Sequence, residues 1–429
     1  MKTTSLKTKI LAVVSICIVI SFFILGFYNT SNNYNSQYSL VKNRPFGFIH
    51  GIFANWCCVS IGRPSASGWI DFWMSVIQLL NLNSIYGFFF YRIVTFITII
   101  FSLFFLIKYV FHKINTILIL SLTLSFYLIY LLLTGTDVLL QIYGVEVALY
   151  GISVAYTFLF IIYSLKIHKI NHPKRIDLFL FYFFLLLYLN SAYAHLVTGG
   201  LILYFTLFTK ENFFKHLKRP YFSFKNIFFH NFFRENYNYL LKRRTKIEAE
   251  SVFAFGFMLY LISALINLFS PSLSIREEIW PSDTSFLLGL YNSLPVLEGL
   301  IINEWSYYYF LITAVVAVLS VKNNIDISKY SVLLRINLIL LAPIIVILTN
   351  ALAFTSSSLH LDPINTGSNL LHIFENLIFF DDVFKEFNYV FPFDERHIFF
   401  VSGLAIVSYC FVGLEIGNLL NKKSLKDDK

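Results

Sequence analysis

Ten continuous apolar runs divide this chain, near residues 10–28, 87–107, 115–133, 146–165, 177–194, 196–209, 252–269, 305–321, 336–353 and 398–420. About 20 mainly apolar residues carry a helix across a bilayer. Inside a bilayer only α-helices and closed β-barrels satisfy their own backbone. The runs here do not alternate polar and apolar residues, which excludes a barrel of the outer-membrane kind. The sixth run is short and reads as a re-entrant or tilted segment. The expected fold is therefore all-α: an integral membrane protein with about ten transmembrane helices, forming a single polytopic domain over residues 1–429. Composition agrees, with 57% hydrophobic residues, 13% charged residues and 49 Phe in 429 positions.

The loops between the runs are sharply unequal in charge. Of 33 lysines and arginines, 26 fall in the N-terminus, the loops near 108–114, 166–176, 210–250 and 322–335, and the tail 421–429. With ten spans, these segments all share one side. Positive charge marks the cytoplasmic side, so both termini are expected there, in a multi-pass protein of the bacterial inner membrane. Confinement of the cations to loops also explains the net charge of +9 without nucleic acid as a partner. The partner implied is membrane lipid. The first run follows Lys2, Lys7 and Lys9, as a signal peptide would, but is long and lacks a small-x-small cleavage site; it reads as an uncleaved span.

Two loops have a character of their own. Loop 210–250 interleaves aromatic residues with Lys and Arg, as segments lying on an anionic membrane surface do. The first outer loop, 29–86, contains Trp69, Phe72, Trp73, Val76, Ile77 and Leu80 at helical spacing, with Asp71, Ser75 and Gln78 on the other face. That pattern predicts an interfacial helix over 69–81. Cys57 and Cys58 are adjacent in this loop. No C-x-x-C spacing occurs, so zinc and iron–sulfur sites are not expected.

No GxGxxG, P-loop, GxSxG or HExxH string occurs. Chemistry is then expected from polar groups at the outer membrane face, where charge is costly. Arginines are sparse on that side: after Arg44, they are Arg63, Arg92, Arg276 and Arg396. A guanidinium at membrane level suits a phosphate or diphosphate, because its fork reaches two oxygens. A nearby carboxylate could serve as general base on an acceptor hydroxyl. Three strings with turn formers converge on this face: Ser60-Ile-Gly-Arg-Pro-Ser-Ala-Ser67, Gln141-Ile-Tyr-Gly-Val-Glu-Val-Ala-Leu-Tyr150 and Asn267-Leu-Phe-Ser-Pro-Ser-Leu-Ser-Ile-Arg276.

Gly62-Arg63 with Ser65-Ala-Ser67, the array Tyr143, Gly144 and Tyr150, and the turn Ser270-Pro-Ser-Leu-Ser-Ile-Arg276 resemble a bacterial family of polytopic membrane proteins. That family is similar to the GT-C glycosyltransferases, which use polyprenyl-phosphate sugars. The resemblance implies a transferase in surface-glycan or lipid modification, with a polyprenyl-linked sugar as donor and a glycan or lipid as acceptor. It implies Arg63, Arg276, Arg92, Tyr143 and Tyr150 as substrate-binding residues. No Asp or Glu occurs between residues 29 and 70, where such enzymes carry their acidic residue. Asp71 and Asp137 are then the candidate catalytic bases. No metal ligand set is identified and no cofactor is expected, a divalent cation being the one such enzymes could use. A polysaccharide polymerase or ligase, and a transporter or flippase without enzymatic activity, are the alternatives.

Overall fold

Residues 336–353 read as one continuous span, yet the chain breaks there into two helices at Leu340. The computed structural model describes residues 6, 9, 11–17, 64–82, 84–133, 144–170, 172–190, 193–208, 233–243, 246–269, 297, 306–356 and 395–427. Among them the regular structure is entirely helical. In chain order the helices are α1 (Pro64–Leu79), α2 (Ser84–Val110), α3 (Thr116–Leu133), α4 (Gly144–Lys169), α5 (Arg175–Leu189) and α6 (Tyr193–Phe208). They continue with α7 (Phe233–Leu240), α8 (Ala249–Leu268), α9 (Ser306–Lys322), α10 (Val332–Ile339), α11 (Leu341–Ser356) and α12 (Glu395–Asp427).

Among the described residues, four helices contain stretches long and apolar enough to cross a membrane: Ile93–Val110, Gly151–Lys169, Ala249–Ile266 and Val401–Lys422. Their length and apolarity make this a membrane protein. The helix α4 is the hub, packed against α1, α2, α5, α6 and α12. Its apolar stretch is 78% buried, against 44% in α2 and in α8. The outer surface stays apolar, as it does where lipid is the solvent. On α5, for example, Ile176, Phe179, Phe183 and Leu186 face outward while Leu178, Phe181 and Leu185 are fully buried. Several buried hydroxyls are satisfied within their own helix. Thr123, Thr157 and Ser121 each donate to the carbonyl four residues back, at 2.8, 2.8 and 3.0 Å.

The most extensive helix pair is α9 with α12. Its backbones come close because Gly413 and Gly417 lie one turn apart on α12, facing α9. Small residues at such an interface let two helices in an apolar medium make dense contact without large side chains between them. Tyr309 and Tyr409 stack across the same pair, 4.7 Å apart and nearly parallel.

The break at Leu340 follows from Pro343. Proline has no N–H to donate to the Ile339 carbonyl, and its ring crowds that group. Leu340 relaxes to φ −84°, ψ 4°. The Ala342 N–H then donates to Ser408 Oγ on α12, at 3.1 Å. The fifth apolar run also ends early, at Leu189 rather than near 194. Asn190 turns the chain there, with its Nδ2 donating to the Leu186 carbonyl at 2.8 Å.

Several connections gather at one end of the bundle. Lys113 Nζ donates to the Asn324 carbonyl at 3.1 Å. The Ser331 N–H donates to His168 Nε2 at 3.4 Å. His172 Nδ1 lies 3.3 Å from the Ile247 carbonyl, and Tyr239 donates to the Pro173 carbonyl at 2.7 Å. The C-terminal ends of α2, α4 and α9 thus meet the N-terminal ends of α5, α8 and α10. This is the basic end, carrying Lys108, Lys113, Lys169, Arg175, Lys322 and Lys329.

The helix α7, inside the basic aromatic loop, is docked with its apolar side outward. Asn236 and Tyr239 are buried, whereas Phe233, Tyr237, Leu240 and Leu241 are exposed. Tyr182 donates to Asn236 Oδ1 at 2.6 Å, and Asn236 Nδ2 donates to the Ser251 carbonyl at 3.0 Å. A helix that buries Asn236 and Tyr239 and exposes Phe233, Tyr237 and Leu240 fits the membrane-surface reading of this loop.

Candidate functional site

The helix α1 starts at Pro64, ahead of the 69–81 expected from spacing, because proline is well placed in a first turn. It packs against α2 and α4 at the end of the bundle away from the lysines. Trp69 Nε1 donates to Thr95 Oγ1 at 3.1 Å. Thr95 stands about 22 Å along α2 from Val110, at 1.5 Å rise per residue. A side chain on Gly151 of α4 would touch Ile99 of α2, which sets the start of α4 at the same level.

The buried face of α1 is rotated from the expected one. Met74 and Ile77 are fully buried, but Phe72 and Leu80 are exposed. The helix is thus anchored by the row Trp69, Trp73, Ile77, reinforced by edge-on ring contacts between Trp69 and Trp73 and between Trp73 and Phe90 of α2. Two polar groups on α1 are shielded from solvent with no hydrogen-bond partner among the described residues: Trp73 Nε1 and Gln78 Nε2. Both are donors. A shielded donor without an acceptor carries a desolvation cost of about 1–3 kcal/mol. A ligand oxygen would remove that cost.

Of the residues expected to carry chemistry, Asp71 lies on α1, Arg92 near the start of α2 and Tyr150 near the start of α4. These three helices pack on one another at one end. Arg63, Asp137, Tyr143 and Arg276 lie outside the described residues, as do Cys57 and Cys58. Among the described residues, no group of three or more His, Cys, Asp or Glu is placed to hold a metal ion.

A second polar feature, not anticipated from the sequence, runs along the α10–α12 seam. Arg335 forms an ion pair with Glu415, both largely withdrawn from solvent. Two residues on, and therefore on the opposite side of α10, Asn337 is buried, and neither its amide oxygen nor its nitrogen has a partner among the described residues. Two turns beyond Arg335 comes the Ala342 to Ser408 bond that spans the helix break. The signal was present as Asn337 and Pro343 within the run 336–353, and as Arg335 just ahead of it.

Comparison with known proteins adds no relative: no family model, no curated protein and no solved structure matches this chain.

Proposed function

We propose that this chain is a multi-pass protein of the bacterial cytoplasmic membrane with about ten spans and both termini inside. At the outer face it transfers a sugar from a polyprenyl-phosphate donor to a glycan or lipid acceptor. The acceptor oxygen bonds to the anomeric carbon, the bond from that carbon to the phosphate oxygen breaks, and polyprenyl phosphate leaves. The acceptor proton passes to a carboxylate, Asp71 or Asp137. Arg63 and Arg276 hold the phosphate, and Arg92, Tyr143 and Tyr150 contribute to substrate binding.

The observation that carries this reading is α1. It holds two shielded donors, Trp73 Nε1 and Gln78 Nε2, and packs on the helices that bear Arg92 and Tyr150. Donors of this kind can hydrogen-bond phosphate or sugar oxygens and so stabilise a bound donor substrate. The one-sided lysines and arginines support the orientation. The test is transfer from radiolabelled polyprenyl-phosphate sugars by the purified protein. Transfer should fall at least tenfold in Arg276→Ala and in Asp71→Asn. Absence of transfer from every donor tried, or unchanged transfer in both variants, refutes it.

One observation favours a second reading, a transporter or flippase. Transporters place broken helices and buried polar side chains at their binding sites. The break at Leu340, Asn337 and the Arg335–Glu415 pair are of that kind. Substrate-dependent flux into proteoliposomes without sugar transfer would favour it.

A further inference from the structure

Three lysines distant in sequence converge at the basic end. Lys113 follows α2, Lys169 is the last residue of α4, and Lys329 lies in the turn before α10. The Lys113 ammonium is held by the Asn324 carbonyl, in the same connection that carries Lys329. Lys169 and Lys329 are brought near each other by the contact of the Ser331 N–H with His168 Nε2, and their charges repel. His112 sits at the edge of the group and feels the charge of all three lysines. The connection is fixed by Tyr330, which is buried and hydrogen-bonded to Tyr109 of α2, and by the Ser331 N–H on His168.

The cations at this point outnumber the carboxylates. Among the described residues, Asp326 is the carboxylate that faces the group, and it is committed to its own turn, accepting from the Ser328 hydroxyl at 2.6 Å and the Ser328 N–H at 2.8 Å. Lys422 of α12 adds a further positive charge beside Asp326. The contrast with Lys166, one turn earlier on α4, is direct: that ammonium has a dedicated carboxylate, Asp177, at 2.6 Å. Burial and the neighbouring Lys169 both push the Lys329 ammonium toward losing its proton. Lysines on an ordinary solvated face spread apart, because each keeps its own water shell and like charges repel. Here the fold brings two ammonium groups together and leaves acceptor demand unmet.

We propose that Lys113, Lys169 and Lys329, with His112 at their edge, form a binding site for a phosphate group, supplied either by an anionic phospholipid headgroup or by free phosphate. A phosphate offers several strong acceptor oxygens and up to two negative charges, matching three converging ammonium groups. The site lies at the C-terminal ends of α2, α4 and α9, and basic pockets between the ends of spans are where lipid headgroups bind. It stands at the other end of the bundle from α1 and does not depend on the glycosyltransferase reading.

The test uses the full chain in uncharged detergent and reads its thermal midpoint. Three additions are compared: phosphatidylglycerol, phosphatidylcholine and inorganic phosphate. A rise with phosphatidylglycerol alone identifies a lipid source. A rise with inorganic phosphate as well identifies the phosphate group itself as sufficient. Half-maximal concentrations should increase about fivefold for each lysine removed in Lys169→Gln and Lys329→Gln, the equivalent of roughly 1 kcal/mol per charge. A site built for an anion also predicts that Lys329→Gln raises the midpoint of the protein with nothing added, which a merely structural lysine would not do. Lys113→Gln, at an exposed position, serves where either variant fails to fold. No rise with phosphatidylglycerol or phosphate, or an equal rise in wild type and in the Lys variants, overturns the proposal.

Discussion

Gly413 of α12 lies so close to Thr313 of α9 that a Cβ added to it would stand 2.6 Å from the Thr313 carbonyl oxygen. At Gly417, one turn on, a Cβ would come within 2.5 Å of the Ser320 Cβ. Neither obstacle is the movable tip of a long side chain. Gly413→Leu and Gly417→Val should therefore separate α9 from α12 and cost about 1–3 kcal/mol or more, the range for overpacking a tight interface. Thermal unfolding in detergent measures this. Gly256→Ala is the control, because there a Cβ would meet side-chain tips of Phe181, Leu203 and Leu185 at 3.1 Å or more.

Ser408 and Pro343 should be energetically coupled. Ser408→Ala leaves the buried Ala342 N–H without its acceptor, at a cost of about 1–3 kcal/mol. Pro343→Ala restores a donor to the helix and lets Ala342 return to ordinary helical bonding. In the Pro343→Ala background the serine substitution should then cost less than 1 kcal/mol, roughly the additivity limit plus a weak residual contact. A double-mutant cycle on the unfolding free energy reads this directly. Equal costs in both backgrounds would contradict the account of the break.

Acidification should destabilise the anion-free protein through His112. Burial lowers the proton affinity of this imidazole, and Lys329, Lys169 and Lys113 lower it further. Its folded pKa is depressed below the unfolded value of about 6.5, so the unfolded chain binds more protons between the two values. Stability contributed by His112 is present above about pH 6.5 and lost as pH falls through that value toward the folded pKa. The slope of thermal midpoint against pH should be shallower in His112→Gln, and also in wild type with bound phosphate, because an anion restores proton affinity. An identical slope in all three would remove His112 from the lysine group.

Detachment of α7 should follow from loss of Asn236. Its amide bridges Tyr182 and the Ser251 carbonyl, and Ser251 in turn donates to Glu235 at 2.8 Å. Asn236→Leu matches the volume but leaves Tyr182 and the carbonyl without these partners. Trypsin cleavage after Lys242 and Arg243 should accelerate severalfold relative to wild type, with the global unfolding midpoint little changed. Unaltered cleavage would mean that α7 is held by its aromatic packing, chiefly Phe233 on Phe255.

The helical class and most helix positions were legible because a membrane demands length and apolarity locally. The runs at 87–107, 115–133 and 252–269 became α2, α3 and α8 with shifts of at most three residues. The run at 336–353 was misread as one helix because hydropathy averages over Pro343. What a proline does in such a run depends on whether a neighbouring helix supplies a partner for the displaced N–H, and here Ser408 does. The candidate site was legible only in residue type. The sequence placed Trp69 and Trp73 on one face of a helix, but not that Trp69 would find Thr95 while Trp73 Nε1 would be left shielded. Nor did the count of cations in the loops reveal that Lys113, Lys169 and Lys329 converge.

The sequence by itself determined that this chain is helical, that it belongs in a bilayer, and that its cations are confined to a subset of its loops. Each of these is set by the transfer of successive residues from water to hydrocarbon, a property of local stretches of chain. Only the tertiary structure decided which of those loops touch, which helix lies at the centre, and which polar groups are paired. Contacts between residues 113 and 324, 168 and 331, or 342 and 408 are fixed by helix packing, and packing depends on side-chain shape across helices far apart in the chain.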